Sequence, residues 1–305
     1  MQPGIYHVPV MLQQVIEGLQ IKPDGVYVDC TFGGGGHSQA ILQQLNPKGK
    51  LIAFDQDEEA KKNIPDDERI IFVPHNFRHL QKFLRLHKIT QVDGILGDLG
   101  VSSFQFDKAE RGFSTRFDGA IDMRMDRRQT LTAYNILKTY SEENLHKMFE
   151  QYGEVTNSKT LAKTIVQQRN STAMQTINEF KNALHGLVKG NPNKYFAQVF
   201  QALRIEVNDE MGALQEMLLQ SKDILKPGGI IAVITFQSLE DRIVKNFFKR
   251  GKFEDADIDE VYGIKEKSPF IIITKKPLVA TQDEIKINTR ARSAKLRLAK
   301  KIRAE

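Results

Sequence analysis

The stretch Val28-Asp29-Cys30-Thr31-Phe32-Gly33-Gly34-Gly35-Gly36-His37-Ser38 sets four glycines between an apolar run, Gly25 to Cys30, and a segment of helical composition, His37 to Leu45. A second apolar run, Leu51-Ile52-Ala53-Phe54, ends on Asp55, about 20 residues past the glycines, where nucleotide-binding sheets carry a ribose acid. Glycines let backbone N–H groups approach a ligand at a helix N-terminus, and the acid accepts hydrogen bonds from a ribose diol. Asp55 is preferred over Asp57, Glu58 and Glu59 because it alone stands at the strand's carboxyl end. The dinucleotide pattern G-x-G-x-x-G is not met, since Gly33-x-Gly35-x-x-Ser38 lacks the third glycine. Asp29, four residues before Gly33, would repel a pyrophosphate and suit an amine or sulfonium. S-adenosylmethionine fits this loop better than NAD.

A length of 305 residues allows about two domains with a sizeable core. Hydrophobic residues make up 40% and charged residues 27%, the balance of an ordinary globular protein. The longest apolar runs, Ile230 to Phe236 and Phe270 to Ile273, are too short to span a membrane. The N-terminal residues lack the basic and apolar regions of a secretory signal. Cys30 is the single cysteine, which excludes an internal disulfide and a multi-cysteine metal site, so a cytoplasmic location is expected. No metal is expected in the site. From Ile271 to Glu305 the net charge is +7, whereas the whole chain carries +6. Such a basic tail is either a solvated terminal helix or a phosphate contact, and removing Arg290 to Glu305 should lower RNA affinity while leaving cofactor affinity alone.

Apolar residues at helical spacing run from His7 to Leu19. Strand-like segments then alternate with helices at Gly25 to Cys30, Lys50 to Phe54, Arg69 to Pro74 and Val92 to Leu96, a βαβ rhythm that predicts a parallel sheet. From Arg111 to about Val207 the pattern is helical: Glu142 to Tyr152, Lys159 to Arg169, Thr176 to Val188, and a segment beyond Pro192. Lys226-Pro227-Gly228-Gly229 predicts a turn into the strand Ile230 to Phe236, and Phe270 to Thr274 is the last apolar run. Ser238 with Asp241 predicts a helix-starting capping box. The expected division is an α/β domain in two parts, 1–110 and 208–305, around an inserted helical substrate-recognition domain, 111–207.

Seven blocks give the chain a family likeness. They are Gly33 to Ser38, Asp98-Leu99-Gly100-Val101-Ser102-Ser103, Glu110-Arg111-Gly112-Phe113-Ser114, Asp122-Met123-Arg124-Met125-Asp126, Phe200-Gln201-Ala202-Leu203-Arg204-Ile205, Ser238 to Lys245 and Arg290 to Arg297. In order and over nearly the whole length, they resemble the bacterial ribosomal small-subunit RNA cytosine N4-methyltransferases. The resemblance implies a Rossmann-like seven-strand methyltransferase sheet with a helical insertion, S-adenosylmethionine as methyl donor, and 16S rRNA or the small ribosomal subunit as partner. It matches Gly34, Gly35, Gly36 and His37 to the cofactor loop, Asp55 to the ribose acid, and Phe77 to an adenine-side position. Asp98 and Gln105 match two further cofactor contacts. Where the family usually has histidine in Phe-His-Ser-Leu-Glu-Asp-Arg, this chain has Gln237. An amide does not titrate near neutral pH, so that position is expected to serve as a hydrogen-bonding group.

A cytosine exocyclic amine needs in-line placement and an acceptor for its hydrogen, but no covalent enzyme intermediate. Asp98, at a strand's carboxyl end, is the leading acceptor, with Ser102, Ser103 and Gln237 behind it. Carbon-5 methylation would need a cysteine nucleophile, and Cys30 lies inside the glycine-loop strand. The D-P-P-Y motif of DNA amino-methyltransferases is absent. Arg111, Arg116, Arg124, Arg127 and Arg128, interleaved with Phe113 and Phe117, are expected to contact RNA. An NAD-dependent oxidoreductase and a noncatalytic RNA-binding assembly factor stay open as alternatives, and so does a homo-oligomer.

Overall fold

Short apolar runs at 26–29, 50–54, 70–73 and 92–98 form four parallel strands, β1 (Val26–Asp29), β2 (Lys50–Phe54), β3 (Ile70–Val73) and β4 (Val92–Asp98). The computed structural model describes residues 9–253 and 267–302. His7 and Val8 of the expected first helix, and Arg303 to Glu305 of the basic tail, lie outside the described residues. Four more strands complete the sheet: β5 (Leu225–Thr235), β6 (Phe270–Ile272), β7 (Leu278–Val279) and β8 (Lys295–Lys301). Their order is β3-β2-β1-β4-β5-β8-β6, with β7 also paired to β8, so the sheet has eight strands where seven were expected. The eighth is the two-residue β7, too short to leave a periodicity in the sequence. β1 to β5 run parallel, and β8 lies antiparallel between β5 and β6. This is a Rossmann-like sheet, parallel from β3 to β5 and antiparallel beyond.

The chain folds as two compact units, one of residues up to Gly100 together with those from Met211 on, the other Val101–Glu210. In the first unit, alternate side chains of each strand feed opposite cores. Val28, Ile52, Ile95 and Ile231 pack with Leu84, Met217 and Phe247 of the helices Leu80–Leu86, Glu210–Ile224 and Ser238–Arg250. Tyr27, Leu51, Leu96 and Ala232 pack with Val15 and Ile41 of the helices Leu12–Leu19 and Gly36–Gln44. The first helix therefore begins at Leu12, after Met11 in a left-handed conformation.

The part of the basic tail at Lys295–Lys301 is neither a solvated helix nor an appendage but a strand of the sheet. Leu296, Leu298 and Ala299 of β8 are buried, and Arg297 is bonded to both carboxylate oxygens of Asp241, at 2.6 and 3.1 Å. The helix cap also differs from the predicted one. Gln237, not Ser238, is the N-cap of the helix Ser238–Arg250, and Glu240 Oε2 accepts from the N–H groups of Phe236 (2.9 Å) and Gln237 (3.2 Å). Lys226 to Gly229, expected as a turn ahead of the strand, bulges within β5. Val92 pairs with Leu225 and Gly94 with Ile230, so four residues loop out, Gly228 taking φ +82°.

The second unit is helical, with only an isolated bridge between Ala120 and Thr176 outside its helices. Its helices are Ser103–Asp107, Ala133–Thr139, Glu142–Gln151, Ser158–Gln168, Ile177–Ala183 and Pro192–Asn208. Thr132 with Asn135, and Thr176 with Glu179, form capping boxes that fix two helix starts. The expected helix Thr176 to Val188 ends early, at Ala183, and passes into a short 3-10 turn, His185–Leu187. Leu145, Phe149, Phe180, Val199 and Leu203 meet in its core.

Candidate cofactor and active site

The strand order reverses between β1 and β4, and open α/β sheets bind ligands outside the carboxyl ends of strands at such a point. The glycine loop leaves β1 here. Its four glycines do different work. Gly33 (φ +51°) and Gly35 (φ +79°) take the left-handed backbone that glycine adopts without strain. A Cβ on Gly36 would strike the Pro9 ring, so that glycine serves packing. A Cβ on Gly34 would meet nothing within 4 Å, which leaves one side of the loop open. The helix starts at Gly36, one residue before the expected His37.

Asp55 follows β2 and clamps this loop. Its Oδ2 accepts from Gly33 N–H at 2.7 Å, and its Oδ1 from Asp57 N–H at 2.8 Å. Burial pushes its carboxyl up to about 7, against the lowering pull of those N–H groups. Asp29 does not present itself to a ligand as the sequence suggested. It is 1% exposed, and its oxygens accept from Thr31 N–H (3.0 Å) and the Ser38 hydroxyl (2.7 Å). Thr31 Oγ1 in turn accepts from Asp98 N–H at 2.7 Å. Asp29 is thus the buried anchor that ties the glycine loop and its helix to the end of β4. The bonds of Thr31 to Asp98 and of Ser38 to Asp29 carried no sequence signal, because each joins two different elements.

Asp98 closes β4 as predicted, and its side chain meets His37, Oδ2 lying 3.7 Å from Nδ1. Its Oδ1 is buried without a hydrogen-bond partner. Burial pushes this carboxyl up to about 6; His37 lowers it and Asp29 raises it. Gln237, just beyond β5, also has a buried Oε1 without a partner. β4 and β5 are neighbours, with Asp98 opposite Ile234, so both orphaned oxygens fall at the carboxyl end of adjacent strands. Phe77 opens the 3-10 turn Phe77–His79 after β3 and packs, half-buried, on the core of one sheet face. Gln105 belongs to the helical unit. It is buried, and its Oε1 accepts from Ser102 N–H at 3.1 Å, while Ser102 Oγ accepts from Gln105 N–H. Ser103 opens the same helix. Ser102 is accordingly occupied as a helix cap and is the weaker acceptor candidate.

Most of the arginines expected at RNA are used inside the helical unit. Arg111 is 2% exposed and donates to the carbonyls of Arg124 and Met125. Arg124 is bonded to both oxygens of Asp122, and Arg128 to both of Asp126. Arg127 lies 3.8 Å from Glu110. Phe113 is buried. Arg116 and Phe117 alone of the group stand exposed without such pairing, Phe117 by 46%. Among the described residues no group of His, Cys, Asp or Glu could hold a metal ion, and no helix is long and apolar enough to cross a membrane.

Asp55→Ala is expected to weaken binding of a ribose-bearing cofactor by about 2–3 kcal/mol, because two hydroxyl donors lose a charged acceptor. Near-wild-type affinity by calorimetry would remove Asp55 from the site. The raised carboxyls also set a pH dependence. As pH falls through about 7 and then about 6, Asp55 and Asp98 become neutral, so affinity for a cationic ligand should fall between pH 8 and 5. Stability of the ligand-free protein moves the other way. Both values stand above the ordinary 3.8, so the contribution of these groups is complete at low pH and is lost as pH rises through about 6 and 7. Melting curves of Asp55→Asn should show a flatter pH slope than wild type.

A glycine loop, a strand-end acid and an unpartnered strand-end carboxylate thus lie at the carboxyl ends of this sheet, the layout of a nucleotide-type ligand site. A family model described as the MraW methylase family matches residues 4–302. The ribosomal RNA small subunit methyltransferase H of Flavobacterium johnsoniae is 53% identical over 298 residues, covering 97% of this chain and 98% of the relative. The protein of the same name from Bacteroides thetaiotaomicron is 52% identical over 297 residues, covering 97% of each chain. Among solved structures, an rRNA methylase from Streptococcus thermophilus aligns over 99% of both chains at 12% identity with a TM-score of 0.39, too distant to carry a residue assignment. The chain belongs to the MraW methylase family.

Proposed function

We propose that this protein methylates the exocyclic N4 amine of a cytosine in 16S rRNA, with S-adenosylmethionine as donor. The observation that carries the reading is Asp98: a carboxylate at the topological switch point with one oxygen buried and unpartnered. Membership in a methylase family and the name of the relatives support methyl transfer to small-subunit rRNA. When bound, S-adenosylmethionine supplies an electrophilic methyl on a sulfonium, whose sulfur keeps the bonding pair while the amine nitrogen gives up one proton.

The residues of this chain divide that task. The open side of the loop at Gly34 to Gly36, Asp55 and Phe77 are assigned to the cofactor, Asp55 to the ribose hydroxyls. Asp98 Oδ1 accepts a hydrogen of the amine, favouring the geometry in which the nitrogen lone pair is free to attack, and then takes the proton. Cys30 takes no part. It is buried inside the sheet and its thiol is pushed well above its ordinary range, first by burial and then by Asp29. The helical unit Val101–Glu210 is assigned to RNA recognition, with Arg116 and Phe117 the exposed, unpaired members of its arginine and phenylalanine cluster.

Nucleosides of small-subunit rRNA from cells with and without the gene, read by mass spectrometry, test the function. Loss of N4-methylcytidine is expected, and an unchanged pattern refutes it. Tritiated methyl transfer by the purified protein excludes the assembly-factor alternative if label appears in RNA. Arg116→Ala should weaken RNA binding evenly across sequences and lower the salt slope by about 1, whereas Arg111→Ala should destabilise the helical unit. An unchanged slope for Arg116→Ala would remove it from the interface.

A further inference from the structure

We infer that His37 is a positioning residue for Asp98, holding the carboxylate ionised through Oδ2 and so leaving Oδ1 free to accept from the substrate amine. The inference rests on the reading of Asp98 as the amine acceptor. The geometry is specific. His37 is 5% exposed, and its Nε2 lies 3.0 Å from the carbonyl oxygen of Val10. A carbonyl only accepts, so Nε2 carries a hydrogen and the ring is fixed with Nδ1 toward Asp98 Oδ2, 3.7 Å away. A neutral ring anchored this way would face the carboxylate with a lone pair. A favourable contact requires a proton on the pair, and at Nδ1 that proton leaves Asp98 anionic.

Asp98 has need of such a partner. Burial and the neighbouring carboxylate of Asp29 both favour its neutral form, which could not take up a proton from the amine. The titratable groups facing it are His37, from the helix Gly36–Gln44, and Asp29, at the end of β1. Of these only His37 opposes neutralisation. Its backbone is fixed independently: Ser38, the next residue, is bonded to Asp29, and Thr31 holds the Asp98 N–H. The two oxygens of Asp98 are therefore unlike, Oδ2 turned to the His37 ring and Oδ1 buried with no hydrogen-bond partner.

The test is His37→Gln, whose amide can still donate to Val10 while the charge is gone. Carbon-13 labelling of aspartate in the ligand-free protein should show the Asp98 midpoint rising by at least one pH unit from its value near 6. Single-turnover methyl transfer at saturating S-adenosylmethionine should fall about fivefold at pH 6 and return to within about a factor of two of wild type by pH 9, where Asp98 ionises unaided. A purely structural histidine would not give recovery at high pH. An unchanged Asp98 midpoint in a folded variant overturns the inference. If His37→Gln does not fold, His37→Asn with a melt as control asks the same question. The titration needs no RNA, so it stands or falls separately from the identity of the methylated base.

Discussion

Asp98→Asn is expected to cut single-turnover methyl transfer by about 10²-fold or more at saturating cofactor and limiting RNA. The substitution keeps the side-chain shape, and the backbone should stay in place because Thr31 holds the Asp98 N–H rather than the carboxylate. What is lost is the negative charge that faces His37 and the capacity of Oδ1 to take a proton. An amide can accept a hydrogen bond but not retain a proton near neutral pH. A carboxylate that served only to bind cofactor would give weaker binding and a normal rate once the cofactor saturates. A normal saturated rate would therefore remove Asp98 from catalysis and turn attention to Gln237, whose Oε1 is the other orphaned acceptor at these strand ends. Cys30→Ala should leave transfer intact; abolished transfer in a folded, cofactor-binding variant would overturn direct attack by the amine.

Ending the chain at Ala294 is expected to abolish cooperative unfolding of the sheet unit, not merely to weaken RNA binding. β8 makes six register pairs with β5, three with β6 and two with β7. Without it Leu296 and Leu298 leave the core, and Asp241 loses Arg297. Truncating one buried leucine costs about 2–5 kcal/mol, and a whole domain is stable by only about 5–15 kcal/mol. The loss of two leucines and a central strand exceeds what remains. Leu298→Ala gives a graded version, about 2–5 kcal/mol, because Leu298 packs directly under Gly18 of the first helix. A truncated chain that melts sharply near the wild-type temperature would show that β8 is dispensable.

The features of this site that were legible in the sequence are local. The glycines, Asp55 and Asp98 each sit at the end of an apolar run, and a strand followed by a glycine turn announces itself within a few residues. β8 was hidden because Lys295, Arg297, Lys300 and Lys301 made it read as a charged tail, although Leu296 and Leu298 already alternate with cations. Its burial depends on partners far away in sequence, Asp241 among them. The arginine cluster misled for a nearer reason. Asp122 and Arg124, then Asp126 and Arg128, stand two apart, and each acid claims its own arginine. That spacing was visible and argued for internal pairing. The meeting of His37 with Asp98, and the hold of Thr31 on the Asp98 N–H, could not be read, since they arise only when β1 and β4 lie side by side.

β4 and β5 are hydrogen-bonded neighbours, yet the whole of Val101–Glu210 intervenes between them in the chain. During synthesis the helical unit is contiguous and can close on its own contacts as it leaves the ribosome. The sheet has to wait with β4 bare along one edge until β5 emerges, and β5 in turn waits for β8. A pulse of hydrogen exchange during refolding should find amides of the helical unit protected first and those of Gly94 to Asp98 late, since long-range strand pairing is the slow step. The carboxylate proposed to receive the amine proton lies on that late edge, so active-site assembly would be among the last events of folding.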